Sequence, residues 1–477
     1  MGATMQARPT IAELENLFRR FPDVPREIII KIELLGKGQW FTDAALAATR
    51  GSLVKSYRLF SYDLVKMEQM TRNEARQVPE WFHIFQGPYD LRALKVQTTM
   101  DPNSPYVIDV VDGCLVLTID NEVVCNVSYP IAPDYYAKRF PDGVLYHEII
   151  AYGYFVTVFR NCQYWGPKEE CRFCDINENA RQMKESKAFT VNAPVKRVDY
   201  VEEVGREVSR EALAHEGYQA AVRFLITGGT ILKTLHGATE NEFYARYLRA
   251  LKYGGPRRHV GLQTNAKPKD EIKWLHAEGM DEHNANMEVW DRRLFEWINP
   301  GKTRRIGYDE WVKRMLDSVD VLGEFNVRPN FVSGIEMAKP YGFASIDEAV
   351  ASTTEGLNVM MGHGVDPRFN QWRREPNTNL VKEHAQPPVP TEFYIRLMSN
   401  CYELRRKYGL KWPIKEALLP ERRYFGFNHG TYEDFPLLKE APWYQDPKCR
   451  TPEEVIQRAA GWPAQRRISI HGPEESG

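Results

Sequence analysis

The chain has 477 residues, of which 43% are apolar and 27% charged, and its 63 basic and 64 acidic side chains leave a net charge of −1. This balance gives no support for binding to nucleic acid or to an anionic membrane surface. No apolar run is long enough to span a membrane and the N-terminus lacks a signal-peptide core, so a cytoplasmic location is expected.

Residues 1–150 are predicted to form an α+β region. The stretches "IAELENLFRRF" and "PREIIIKIELLGKG" have the pattern of short helices. Residues 106–130 are rich in β-branched side chains and are interrupted by Asp-Gly and Asp-Asn turns, which predicts an antiparallel meander. This region could serve as a substrate lid, a partner-binding module or an oligomer contact, and the sequence indicates no oligomeric state.

In residues 151–380, short apolar strands alternate with amphipathic helices, a pattern typical of parallel strands joined by right-handed crossovers. Six strands are predicted, at 154–161, 221–230, 259–266, 282–290, 327–336 and 365–372. Five helices are predicted between them, at 198–217, 239–255, 267–279, 308–325 and 345–364. The predicted fold class is therefore α/β, with a partial (β/α)6 TIM-like barrel whose chemistry lies at the C-terminal ends of the strands.

The Pro-rich segment "EHAQPPVPTE" introduces the third part of the chain, residues 381–477. One strong helix, "TEFYIRLMSNCYELRRKYG", and a loosely patterned tail predict a helical C-terminal extension. Cys401 occupies an apolar position of this helix and is predicted to pack in the core.

Three of the seven cysteines, Cys162, Cys171 and Cys174, follow the first predicted barrel strand in the spacing C-x8-C-x2-C. The others are scattered singly, so a disulfide framework is not indicated. Three thiolates can hold three irons of a [4Fe–4S] cluster and leave the fourth iron open to an external ligand. Two alternatives stay open: a zinc-stabilised binding or scaffold protein, with His215 or His236 as the fourth ligand, and a C-x-x-C thiol redox protein.

The cysteine motif resembles that of the radical S-adenosylmethionine (SAM) superfamily, and the core as a whole resembles the biotin-synthase-like branch. The usual signature is C-x3-C-x2-C with an aromatic residue before the last cysteine, a place that Phe173 takes here. The first gap differs, because "QYWGPKEE" supplies eight residues instead of three.

Two further segments match this superfamily in the right order. In "LITGGT", Gly228, Gly229 and Thr230 stand where the family has Gly-Gly-Glu, whose backbone holds the SAM amino group; a Gly-Gly pair is also common in any βα turn. In "NANMEVWD", Asn286 and Glu288 match a polar pair on the fourth strand that reaches the ribose and carboxylate of SAM. Strand alternation is expected to point both side chains to one face, although Glu288 could instead form a structural salt bridge.

A looser match lies on the fifth predicted strand. There, Gly334 and Glu336 of "FVSGIE" fit the region that backs the adenine in this superfamily. On the sixth strand, Arg368, Arg373 and Arg374 are either solvated surface residues or ligands of an anionic substrate.

The resemblance implies an oxygen-sensitive enzyme with two cofactors, a [4Fe–4S] cluster and SAM. A reductase such as flavodoxin or ferredoxin would supply the electron that cleaves SAM to a 5′-deoxyadenosyl radical. This radical would abstract hydrogen from a small-molecule or cofactor-precursor substrate. No motif in the chain identifies that substrate or a catalytic residue for it.

Overall fold

The computed structural model describes residues 10–55, 78–166, 168–186, 193–214, 222–253, 258–410, 429–446 and 450–460. His215, Cys449 and the tail after residue 460 lie outside these ranges.

The N-terminal region combines three helices with one mixed sheet, which confirms its α+β character. The helices are α1 (Ile11–Arg20), α2 (Arg26–Lys37) and α3 (Asp43–Ala47), and the strands are β1 (Trp40–Phe41), β2 (Trp81–Gln86), β3 (Leu91–Gln97), β4 (Tyr106–Val111), β5 (Cys114–Ile119) and β6 (Glu122–Ser128). The strand order is β1-β4-β5-β6-β2-β3, and the predicted meander appears as the antiparallel strands β4, β5 and β6. Helix α2 lies almost wholly inside the protein because isoleucine and leucine occupy most of its positions.

Six parallel strands follow in chain order, after the short helix α4 (Tyr146–Ile149). They are β7 (Phe155–Phe159), β8 (Val222–Gly228), β9 (Arg258–Gln263), β10 (Glu282–Asn284), β11 (Asn330–Ser333) and β12 (Arg368–Gln371). Strands β7 to β10 form one sheet, β11 pairs with β12, and isolated parallel bridges at His283–Val327 and Glu288–Phe331 connect the two. This topology confirms the predicted partial (β/α)6 barrel.

Helices cover the outside of these strands. They are α5 (Ile176–Ser186), α6 (Val198–Ala214), α7 (Glu240–Lys252), α8 (Lys269–Ala277), α9 (Arg292–Ile298), α10 (Pro300–Arg305), α11 (Tyr308–Leu322) and α12 (Ile346–Gly362). Local sequence fixes several of their first residues: Thr239 and Glu242 form a capping box at α7, and Ser345 caps α12.

The fourth barrel strand is shorter than predicted and does not include Asn286 and Glu288. The expectation that strand alternation points these two side chains to one face is therefore wrong. Strand β10 ends at Asn284, and Glu288 has a φ of 67°, outside the extended region. The reason is that the N–H groups of Met287 and Glu288 both donate to the carbonyl oxygen of Asn330, at 3.1 and 3.0 Å, which turns the backbone towards β11.

A buried ionic group lies where the barrel strands begin. Glu282 accepts a hydrogen bond from Arg223 at 2.6 Å and another from Arg368, and all three side chains are buried. Burial alone would raise the pKa of Glu282, but the charges of Arg223 and Arg368 outweigh it and hold this pKa well below its usual range. The chemistry-bearing loops lie at the opposite ends of the strands.

The C-terminal extension is helical, as predicted. Its helices are α13 (Asn379–Glu383), α14 (Thr391–Lys407), α15 (Asp434–Glu440) and α16 (Pro452–Ala460). Cys401 of α14 is fully buried, which confirms its place in the core. No helix in the described ranges is long and apolar enough to cross a membrane.

The N-terminal region contacts both edge strands of the open barrel. Beside β7, Tyr152 donates to the carboxylate of Glu80 at 2.7 Å. At the end of β12, Gln371 donates to the carbonyl oxygen of Ile32 at 2.9 Å. The gap that six strands leave in a barrel is therefore bordered by the N-terminal region on both sides.

Candidate active site

A cavity of about 220 Å³ lies at the C-terminal ends of the barrel strands. The structure places nearly all of the predicted site residues on its walls: Cys162, Cys171, Phe173, Cys174, Gly228, Gly229, Thr230, Asn286 and Glu288. These residues come from the loops after the first, second and fourth strands. Aromatic rings, including those of Tyr154, Tyr164 and Tyr244, make much of the remaining wall.

Asn177, in the first turn of α5, holds the unusually long cysteine loop closed. Its Oδ1 accepts the N–H of Cys162 at 2.8 Å, and its Nδ2 donates to Glu170 at 2.9 Å. The eight residues between the first two cysteines therefore form a loop whose two ends are joined through one side chain. This contact explains how the wide spacing still brings Cys162 and Cys171 to the same cavity.

The loop is also fastened to the barrel and to the helices after the fourth strand. Gln163 donates its N–H to the carbonyl oxygen of Thr230 at 2.8 Å. The N–H of Arg172 donates to the carbonyl oxygen of Ile298 at 2.9 Å. Backbone contacts on both sides of the cysteines therefore help to fix their positions.

Gly229 permits the close approach of the second strand to this loop. A Cβ atom at this position would overlap the carbonyl oxygen of Asn161 and the Cα of Cys162. Gly229 is therefore required by packing against the first cysteine, whereas a Cβ atom at Gly228 would overlap the hydroxyl of Tyr244. Both glycines form part of the cavity wall.

Burial keeps the three thiols protonated when no metal is bound. It raises the pKa of Cys171 to about 12 and raises the pKa values of Cys162 and Cys174. A charge on Cys162 would raise the pKa values of Cys171 and Cys174, and a charge on Cys171 would raise that of Cys174.

The described residues contain no group of three His, Cys, Asp or Glu side chains close enough to hold a single metal ion. An iron–sulfur cluster needs a different arrangement of ligands, because each thiolate binds its own iron. The ligand sulfurs of a cluster therefore lie farther apart than the ligands of a single metal ion. Three thiols on one cavity wall therefore suit a cluster better than a lone zinc ion.

Lys302 of α10 is a site residue that the sequence analysis missed. Its ammonium lies 2.7 Å from Glu288 and 2.9 Å from the carbonyl oxygen of Asn286, and it lines the cavity. Burial lowers the pKa of this lysine, but the negative charge of Glu288 and the hydrogen bond to its carboxylate act against burial, and the net pKa is raised. The lysine thus keeps its charge and holds the turn after β10 beside the cysteines.

The structure does not bring Gly334 and Glu336 to this cavity. Glu336 is fully buried, and its carboxylate accepts the N–H of Gly334 at 2.6 Å and the hydroxyl of Thr353 at 2.7 Å. Burial raises its pKa to about 7. In these contacts the side chain stabilises the turn after the fifth strand.

Comparisons with protein-family models and with curated proteins found no match. Several solved structures are similar, and three of them are described below. The first is HydG, a maturase of the [FeFe]-hydrogenase, at 14% identity and a TM-score of 0.36, with 58% of this chain and 56% of that chain covered. The second is methylornithine synthase (PylB), at 12% identity and a TM-score of 0.35, with 54% and 65% covered.

The third is coproporphyrinogen III oxidase (HemN) from Escherichia coli, described as a radical SAM enzyme, at 12% identity and a TM-score of 0.33. The match covers 59% of this chain and 59% of that chain. The likeness is one of fold. The matched part spans less than two thirds of each neighbour.

Proposed function

We propose that the chain is a radical SAM enzyme that binds a [4Fe–4S] cluster at Cys162, Cys171 and Cys174. The observation that carries this proposal is that three partly buried thiols share one cavity wall at the mouth of an open βα barrel. Soft thiolate ligands are the donors that iron–sulfur clusters use, and three of them leave one iron open for SAM.

The rest of the cavity wall suits SAM. The backbone of Gly228, Gly229 and Thr230 would receive its methionine part, and Asn286 and Glu288 would position its polar groups. Lys302 would keep the carboxylate of Glu288 oriented. Phe173 and Tyr164 would keep water from the reacting atoms, since both line the cavity and Tyr164 is buried.

The chemistry supplied by the bound cluster would be a one-electron reduction of SAM. This reduction would cleave SAM and yield a 5′-deoxyadenosyl radical, which would abstract hydrogen from a small molecule. The protein contributes position and exclusion of water. The long loop tied by Asn177 holds the cysteines, the close packing at Gly229 sets the distance between this loop and the second strand, and an external reductase would provide the electron.

Anaerobic reconstitution with iron and sulfide tests the proposal. We expect about four irons per chain, a brown protein and reductive cleavage of SAM to 5′-deoxyadenosine and methionine. Cys162→Ala should lose the cluster and the cleavage, whereas Cys114→Ala, which replaces an exposed thiol outside the site, should keep both.

Other outcomes of the same experiment contradict the proposal. Stoichiometric zinc in a colourless protein would indicate a zinc-stabilised binding protein. A reversible Cys171–Cys174 disulfide that survives Cys162→Ala, with no metal bound, would indicate a thiol redox protein.

A further inference from the structure

The cavity extends from the cysteine loop to residues that follow the sixth strand. This second end is lined by Asn370, Gln371, Trp372, Arg373, Glu375 and His429. The proposed cofactors account for the cysteine end, at the first, second and fourth strands. The residues at the sixth strand are thus available to a substrate, and the present inference rests on the proposed function.

The three arginines of the sixth strand differ in their surroundings. Arg368 is paired with the buried carboxylate of Glu282. Arg374 donates to the carbonyl oxygen of Gln386 at 3.2 Å and is not among the described residues that line the cavity. Arg373 lies on the cavity wall, as Arg368 does, and it donates hydrogen bonds to the neutral side chains of Thr99 and Gln97.

Two side chains at the end of β3 orient Arg373. Its Nε donates to the hydroxyl of Thr99 at 3.0 Å, and its Nη2 donates to Oε1 of Gln97 at 3.2 Å. The side chain is 3% exposed. A guanidinium keeps its charge at this depth, and these contacts fix the plane of its fork.

A second donor on the cavity wall belongs to Trp372, the residue before this arginine. The indole N–H of Trp372 is buried and has no hydrogen-bond acceptor in the described part of the chain. Leaving such a donor unpaired costs free energy, which an oxygen atom of a ligand would recover. A fixed guanidinium and an unpaired N–H on the wall of one cavity are suited to a carboxylate or a phosphate group.

We propose that the substrate carries an anionic group, a carboxylate or a phosphate, and that Arg373 binds this group with the indole N–H of Trp372 as a further donor. Arg373 comes from the barrel but is oriented by Gln97 and Thr99 of the N-terminal region. The N-terminal region therefore takes part in substrate recognition through this arginine.

The test follows deuterium from substrate into 5′-deoxyadenosine. Reconstituted enzyme is incubated with SAM, a reductant and the small molecules of cells grown in deuterium oxide. One portion of this extract is first treated with alkaline phosphatase, which is then removed, and another is first esterified to cap its carboxylates. Loss of deuterium transfer after the first treatment identifies a phosphate, and loss after the second a carboxylate.

Deuterium transfer that survives both treatments overturns the anionic substrate but leaves the proposed function standing. Absence of transfer from the untreated extract, with SAM cleavage intact, also contradicts an anionic metabolite as substrate. Failure of the reconstituted protein to cleave SAM at all contradicts the proposed function itself.

Variants locate the contact. Arg373→Gln should lower the deuterated fraction of 5′-deoxyadenosine roughly ten- to a hundredfold, as expected for a lost hydrogen bond to a charged group. Arg373→Lys should restore part of this loss, and Arg374→Gln is the matched control with no effect. An unchanged fraction in Arg373→Gln, or a parallel fall in its affinity for SAM, overturns the assignment.

Arg373→Gln could also disturb the N-terminal region that it contacts. Trp372→Phe keeps the ring and removes only the N–H, so it supplies an independent test. We expect about a fivefold to tenfold smaller deuterated fraction at unchanged iron content. A fraction equal to that of the wild type removes Trp372 from the proposed site.

Discussion

The buried carboxyl group of Glu336 makes the stability of the protein depend on pH. Burial raises its pKa to about 7 from the ordinary glutamate value of 4.5, although its contacts with Thr353 and Gly334 oppose this rise. A raised pKa in the folded state means that folding favours the protonated form. The contribution is fully present below about pH 4.5 and is lost as pH rises through 7.

We predict that the Glu336→Gln variant lacks this loss. In the wild type, this carboxyl group should lower the free energy of unfolding by at most about 3 kcal/mol between pH 5 and pH 8. Urea unfolding midpoints of both proteins at the two pH values measure it. Glu355→Gln, an exposed position on α12, the helix that carries Thr353, is the control and should follow the wild type. Parallel pH profiles for Glu336→Gln and the wild type would contradict this account.

Individual site residues differ in how far the sequence predicts them. The cysteines and the Gly-Gly pair are recognisable because few residue types can hold a cluster or allow close backbone approach. Lys302 could not be found this way, since a lysine in "NPGKTRR" has the pattern of a solvated helix, and only the tertiary fold buries it against Glu288. Glu336 fits the pattern of a ligand, but its carboxylate is directed to the backbone of its own turn.

At the scale of elements, the contact between the second strand and the cysteine loop sets the geometry of the site. We predict that Gly229→Ala loses most of its iron after reconstitution, because the added methyl group would displace Asn161 and Cys162. Iron and sulfide content measure this. Gly362→Ala, where the added atom meets only ordinary contacts with Tyr408, should bind iron as the wild type does. Full iron content in Gly229→Ala would show that this close approach is not needed.

The strand and helix pattern predicted the barrel well because local periodicity specifies buried strands and amphipathic helices. The end of the fourth strand was not predictable in this way. The stretch "EHNANMEVW" alternates as a strand does, yet its second half is turned by hydrogen bonds to Asn330, which lies 42 residues after Glu288 in the chain. Such long-range contacts override a local pattern.

At the scale of the whole molecule, a buried ion pair joins the N-terminal region to the C-terminal extension. Lys31 of α2 lies 2.7 Å from Asp434 of α15, and both side chains are fully buried. Burial lowers the pKa of Lys31 and raises that of Asp434, so desolvation of the pair is costly. Removing one partner leaves the other without its main compensation.

We predict that Lys31→Met lowers the free energy of unfolding by about 3–5 kcal/mol. Replacing both partners, as in Lys31→Met with Asp434→Leu, should cost less than the single change. Lys313→Met, in the exposed pair with Asp317, is the control and should cost at most about 1 kcal/mol. Denaturant titration measures all three, and a Lys31→Met loss no larger than the control would contradict the prediction.

The sequence alone did not predict how the three parts of the chain contact one another. Helix and meander patterns predicted the content of the N-terminal region, but no pattern shows that Gln97 at the end of β3, with Thr99 just after it, orients an arginine that follows β12. The wide separation of these residues along the chain leaves no local signal, since neither is unusual in a strand.

The central claim is that three cysteines hold a [4Fe–4S] cluster whose fourth iron binds SAM. Electron–nuclear double resonance of the reduced, reconstituted protein with SAM labelled with ¹⁵N in its amino group tests this most directly. We predict a hyperfine coupling from the nitrogen to the cluster, absent in Cys162→Ala. A complete four-iron cluster that shows no such coupling with bound SAM would contradict the account.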